Sequence, residues 1–170
     1  MNGTASDKVS PPTDRQASFL GRVVRKIVVL SIIFLAGLIV MSLTATRPSH
    51  LGLHGGSLAP VPNSPNCVSS MTDKTGFKAT SIDVSKLENP IARLKEIIAS
   101  DFSRVRLISE EGNYLHYEFT SLIFRFVDDA EFLYDEEQKV IDFRSASRVG
   151  HSDLGANRKR IEKIRAAIGL

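Results

Sequence analysis

Only one cysteine, Cys67, occurs among the 170 residues, so no disulfide can close within the chain and no cysteine-based structural zinc site can be assembled from a single thiol. Any folded part must hold by its core. Charge of either sign is not in large excess. The 22 Lys and Arg against 19 Asp and Glu leave +3 at pH 7, and an N-terminal basic flank with its own explanation contributes to that surplus, so nucleic-acid binding is not implied. Nucleotide and hydrolase signatures are missing as well: there is no Gly-x-Ser-x-Gly elbow, no Walker-type glycine loop and no internal repeat. At 42% apolar and 24% charged residues, the chain fits one ordinary globular domain with appendages.

What the chain does have is one uncharged apolar run, IVVLSIIFLAGLIVMSL, from Ile27 to Leu43. As a helix it would span roughly 25 Å of the roughly 30 Å hydrocarbon layer, short but sufficient with snorkelling flanks. Arg15, Arg22, Arg25 and Lys26 precede it and only Arg47 follows closely. The positive-inside rule then keeps the N-terminus in the cytoplasm and exports the rest. The expectation is a single-pass protein of the inner (cytoplasmic) membrane, its C-terminal domain in the periplasm. A signal peptide cut after Ala45 is the competing reading. Leu43 is a poor small residue for the position two before it, and the region ahead of the run is unusually long. A lipoprotein reading of Cys67 fails, because SPNC lacks a lipobox and lies far from the apolar run.

These features divide the chain into four parts. Residues 1–21, polar and charged, are expected to be a disordered cytoplasmic tail, and 22–45 a transmembrane anchor. Residues 46–65 read as a Pro/Gly-rich linker, and 66–170 as the exported domain. His50 and His54 are four apart, a spacing that helps metal binding only on a helix, and Pro48, Gly52, Gly55 and Gly56 argue against one.

Within 66–170 the periodicity changes type twice. Asn89 followed by Pro90 predicts an N-cap and first helical position, with Ile91, Leu94, Ile98 and Phe102 as the apolar stripe. Period two then takes over: Leu115, Tyr117 and Phe119 alternate with His116, Glu118 and Thr120, and RVRLIS, FRFVDDAEFLY and KVIDFRSAS have similar β character. Glu111-Gly112-Asn113 and Asp135 to Gln138 are the turns between them. A last helix, capped by Ser152 or Asp153, places Leu154, Asn157, Ile161, Ile164 and Ile168 on one side. The predicted architecture is α+β: a four-stranded antiparallel meander with two helices packed on one face, preceded by one transmembrane helix.

Three stretches carry a resemblance: NCVSS at 66–70, FVDDAEF at 126–132 and RSASRVGHSDLGANRKRIE at 144–162. They resemble, in order, the signature of the uncharacterised family called domain of unknown function 1499. That resemblance implies small proteins, often with an N-terminal membrane or targeting segment. It implies no reaction, cofactor or catalytic residue.

Charge suggests where to look for a site. Asp101 to Asp142 holds eleven acidic and four basic residues, net −7, whereas Arg144 to Leu170 holds seven basic and two acidic, net +5. If the last strand pairs with FVDDAEF, Arg144 or Arg148 comes near Asp128, Asp129 or Glu131, and these carboxylates serve as structural salt-bridge partners. A second reading makes Arg144, Ser145, Ser147, Arg148, Asn157 and Arg158 an anion or lipid-headgroup site ahead of a helix N-terminus. The partners would then be the membrane, through Ile27 to Leu43, and an anionic lipid or a protein. A third reading is a small metal-dependent or hydrolytic enzyme using Asp128, Asp129, Glu131 and His151. Adjacent strand residues point to opposite faces, however, so Asp128 and Asp129 cannot easily share an ion. A nucleophile system of Cys67, His116 or His151 and Asp153 has no spacing to support it. No metal or cofactor is expected, and Asn157 reads as a buried amide.

Overall fold

The apolar run lies in one long helix, α1 (Asp14–Leu43), in a computed structural model that describes residues 14–169. Its segment Ser18–Leu43 is 26 residues long and apolar enough to cross a membrane. The helix starts earlier than the expected anchor at residue 22, so residues 14–21 are helical, and the first thirteen lie outside the described residues. Nothing from Asp14 to Leu20 breaks a helix, and extending an established helix adds a hydrogen bond for each residue fixed. At the other end Thr44 closes the last turn, its N–H and Oγ1 both donating to the Val40 carbonyl at 3.0 and 2.9 Å. The boundary between the two compact units of the chain falls after Leu38.

The second unit is built on an antiparallel sheet of six strands: β1 (Cys67–Ser69), β2 (Ile82–Asp83), β3 (Val105–Glu111), β4 (Tyr114–Thr120), β5 (Val127–Asp135) and β6 (Val140–Ser147). Its order is β1-β6-β5-β4-β3, with β2 sharing the β6 edge with β1. Strands β3 to β6 form the expected meander. The sheet nevertheless has six strands and not four, because β1 pairs Cys67–Ser69 with Ala146–Arg144 and β2 pairs Ile82–Asp83 with Ile141–Val140. Strands of three and two residues are too short to show a period, and these form only because the edge of β6 offers partners.

Two helices cover one face, α2 (Pro90–Asp101) and α3 (Ala156–Ile168). Beneath them lies the apolar core, formed by Leu115, Tyr117 and Phe119 of β4, Ala130 and Phe132 of β5 and Ile141 and Phe143 of β6, against Leu94, Ile97, Ile98, Ile161, Ile164 and Ile168. Asn89 caps α2, accepting from Ala92 N–H at 3.1 Å, and Pro90 fills the first helical position. Phe102, expected in the helical stripe, is the C-cap residue and meets Phe119 edge-on at 5.3 Å. In α3 the cap position belongs to Gly155, at φ 78. Asp153 still serves that end, accepting from Gly155 N–H at 3.0 Å and Asn157 N–H at 2.8 Å. Leu154 is in the preceding turn with φ 52 and is 87% exposed, so it is not part of the buried stripe as expected.

The opposite face of the sheet is covered too. Residues 46–65, expected to be a solvated linker, run against it as a strap in which Leu58, Ala59 and Val61 are buried. Its backbone serves as hydrogen-bonding surface: Gly52 N–H donates to Glu131 at 2.7 Å, and the Pro60 carbonyl accepts from Arg144 Nε at 3.3 Å. Prolines keep this strap out of helix and ladder while leaving its carbonyls free to accept. Both faces are thereby closed to water, which is why β4 is buried along almost its whole length.

Candidate functional site

Strand alternation sorts the charged residues before any site forms. Tyr114, His116 and Glu118 of β4, Asp129 and Glu131 of β5, and Arg144 and Ala146 of β6 face the strap. Asp128, Ser145 and Ser147 face the helices. Register brings the first set together: Glu118 lies opposite Asp129, His116 opposite Glu131, and Glu131 opposite Arg144. Arg148 continues the line just past β6, where its N–H donates to the Val127 carbonyl at 3.1 Å.

The strap face is an ion-pair network. Arg148 grips Asp129 with two bonds, Nε to Oδ2 at 2.7 Å and Nη2 to Oδ1 at 2.8 Å, and the same Nη2 also donates to Glu118. Glu118 further accepts from Arg47 at 2.6 and 2.9 Å and from Arg106 at 2.6 Å. His116 Nε2 meets Asp129 Oδ1 at 2.8 Å. Glu131, fully buried, accepts from the Tyr114 hydroxyl at 2.9 Å, from Gly52 N–H and from Arg144 Nη1 at 3.3 Å. Burial alone would raise the carboxyl pKa values here. At Glu118 the hydrogen bonds from Arg106, Arg148 and Arg47 overcome it and hold the group down to about 2. Those from Arg148 and His116 likewise hold Asp129 below the ordinary carboxylate range. Burial and then the Glu131 charge push the Tyr114 phenol up, so it stays a donor.

Beside this network a cavity of about 190 Å³ opens between strap and sheet, lined among others by Pro48, His50, Asn66, Asp129, Arg144 and Arg148. Arg144 uses Nε and Nη1, and Arg148 uses Nε and Nη2, in the bonds just described. The other Nη of each has no protein acceptor among the described residues. Two buried guanidinium groups with spare donors therefore line one small cavity.

A separate knot of polar side chains sits on the helix face. The Asn157 carbonyl accepts from Ser145 Oγ at 2.7 Å and Arg160 Nη1 at 2.6 Å, and its amide donates to the Asn66 carbonyl and to Ser147 Oγ, both at 3.0 Å. Arg160 also bonds Asp128 at 2.6 Å and lies 4.4 Å over the Phe119 ring. The knot ties the start of β1, the end of β6 and the first turn of α3.

The six residues expected to form an anion site are thus not one cluster. Arg144 and Arg148 lie on the strap face, Ser145, Ser147 and Asn157 on the helix face, and exposed Arg158 donates to the Gly76 and Lys78 carbonyls at 3.1 and 3.2 Å. The expected acidic enzyme site is divided in the same way, with Asp128 on the helix face and His151 exposed. Cys67 on β1 and His116 on β4 are three strands apart, roughly 14 Å. Burial pushes the Cys67 thiol up to about 11, opposite to what a nucleophile needs. Among the described residues no three His, Cys, Asp or Glu side chains are grouped to hold a metal. His54 Nε2 instead donates to the His50 carbonyl at 2.7 Å. Arg47, Glu118, Asn66 and Arg160 escaped the sequence reading. Arg47 looked like a flanking charge of the apolar run, and nothing local to the other three marks their distant partners.

A family model described as "Protein of unknown function (DUF1499)" matches residues 57–168. Neither the curated proteins nor the solved structures give a match.

Two outcomes test the network. Arg148→Ala is expected to lower the unfolding free energy by about 3–5 kcal/mol in urea titrations of the detergent-solubilised chain, because two buried carboxylates lose a partner. Arg148→Lys should recover only part of this, having no two-pronged grip. The second concerns acid. A carboxyl held below its unfolded value contributes stability that is complete above that value and is lost as pH falls through the folded one. Melting temperature should therefore drop between about pH 4.5 and 2, the window set by Glu118, with Asp129 adding in the same sense. Glu118→Gln should flatten the profile in that window.

Proposed function

We propose, for a chain that belongs to the DUF1499 family, a membrane-anchored binding module that holds a small anionic group in the cavity between strap and sheet. α1 anchors it in the inner membrane. The basic side chains of Arg22, Arg25 and Lys26 at the head of the apolar run, with only Arg47 shortly after it, support an orientation that leaves the strap and domain on the periplasmic side.

The observation that carries the binding reading is the pair of spare Nη groups, one on Arg144 and one on Arg148, lining the same cavity. Each guanidinium is already fixed by protein contacts, so an arriving anion would find its donors preorganised and would have little order to impose. A volume of about 190 Å³ suits a phosphate, a small carboxylate or the tip of a lipid headgroup. The carboxylate of Asp129 on the same wall is paired with Arg148 and hydrogen-bonded to His116. What supports recognition is that the cavity wall offers two fixed guanidinium donors, while the Asp129 carboxylate is already held by hydrogen bonds from Arg148.

Two experiments address the reading. In thermal melts of the full chain in detergent, inorganic phosphate should raise the melting temperature above an ionic-strength-matched chloride control, by an amount that grows with concentration as binding to the folded state requires. The paired change Arg144→Gln with Glu131→Gln removes one donor set without leaving a buried charge, and should abolish the phosphate effect. A phosphate response equal to that of chloride would count against the site. A C-terminal reporter active only outside the cytoplasm checks the orientation.

A further inference from the structure

We propose that the loop joining β4 to β5, Ser121 to Phe126, docks on the anionic headgroup layer of the bilayer that holds α1 and so fixes the end of the sheet facing the membrane. This rests on the anchored part of the reading above and is independent of the anion cavity. Leu122 and Ile123, adjacent at the loop tip, are 67% and 75% exposed. The loop is pinned shut behind them: Ser121 N–H donates to the Phe126 carbonyl at 2.8 Å, and Phe126 N–H to Ser121 Oγ at 2.9 Å. Phe124 and Phe126 stack their rings 5.6 Å apart in the same loop. Isolated exposed aliphatics are ordinary, but a braced loop presenting two together marks a contact surface.

Charge identifies the surface it fits. Exposed Arg125 is in the loop, and exposed Arg104 is beside it, its carbonyl accepting from Thr120 N–H at 3.0 Å. Exposed Lys159 and Lys163 line a cavity with Thr120 and Ser121. The acidic residues nearby are already matched, Asp128 with Arg160 at 2.6 Å and Asp101 with Lys163 at 3.7 Å. At the other end of the sheet the exposed turns carry Glu111, Glu136 and Glu137, with Lys139. Apolar side chains ringed by arginine and lysine match an interface where acyl chains lie under negative headgroups.

Chain connectivity brings this same end to the bilayer. The membrane-length helix finishes at Leu43. Four residues later Arg47 is bonded to Glu118, two positions before the end of β4. Four residues reach at most roughly 14 Å when extended. The apolar loop therefore stands beside the point where the chain enters the sheet, and the acidic turns lie a strand length away.

The test uses the full chain in vesicles of zwitterionic lipid, with or without phosphatidylglycerol, doped with lipids bearing a quencher on the acyl chain. An environment-sensitive fluorophore is attached through Ile123→Cys or, at the distal turn, Glu136→Cys, with the unsubstituted chain as the control for labelling at buried Cys67. The 123 probe is expected to shift to shorter emission wavelength and lose fluorescence to the quencher, more so with phosphatidylglycerol, while the 136 probe does neither. Adding Leu122→Glu and Arg125→Glu should release the 123 probe, separating contact from mere closeness. Equal behaviour of the two probes in a chain that floats with the vesicles overturns the docking alone, as does quenching that survives the double change. Quenching that tracks protein density rather than quencher lipid points to a second copy and also overturns it. A chain that does not float with the vesicles overturns the anchor and the docking together.

Discussion

Three carboxylates, Glu118, Asp129 and Glu131, are buried on one face of a sheet, and the rest of this domain is arranged around satisfying them. An ionised carboxylate taken out of water costs several kcal/mol unless charges and hydrogen bonds replace the lost hydration. Here the replacement comes from Arg47, Arg106, Arg144 and Arg148, from His116 and Tyr114, and from one backbone N–H of the strap. The strap cannot leave without exposing that face, and the face cannot be dry without the strap. A segment rich in proline and glycine becomes part of the fold because its backbone and Arg47 find partners on the sheet.

The two faces do different work through the same strands. Ile141 and Phe143 of β6 enter the apolar core, whereas Arg144 between them and the turn pairs with Glu131 on the far side. Slipping β6 by one residue would drive Arg144 into the core and Phe143 under the strap, so the ion pairs lock the register that the core alone would also prefer. That alternation also separates Asp128 from Asp129. The first joins Arg160 and the Asn157 knot and the second joins Arg148, so these two neighbouring carboxylates do not share a site. What remains open on the strap face is donor capacity, and an arginine-lined cavity follows.

Arg47 links this network to the membrane-length helix. It lies four residues past Leu43 and bonds Glu118, which also holds Arg106 and Arg148. The point where the chain enters the domain is therefore clasped to the residues beside the cavity, rather than separated from them by a free spacer.

The local chemistry of the sequence determined a good part of this. An uncharged run of seventeen residues could only be one long apolar helix, Asn89-Pro90 could only open α2, and period-two alternation marked β3 to β6. The excess of acid in one segment and of base in the next pointed to Arg144 and Arg148 as partners for the carboxylates of β5. Only the tertiary structure decided that the strap covers the polar face, that β1 and β2 lengthen the sheet, that Asn66 meets Asn157, and that the six expected anion-site residues do not gather in one place. The reason is range: Arg47 reaches Glu118 across 71 positions and Asn66 reaches Asn157 across 91. Periodicity and capping record what a residue does with neighbours a few positions away, and no local pattern records which distant backbone will satisfy a buried charge.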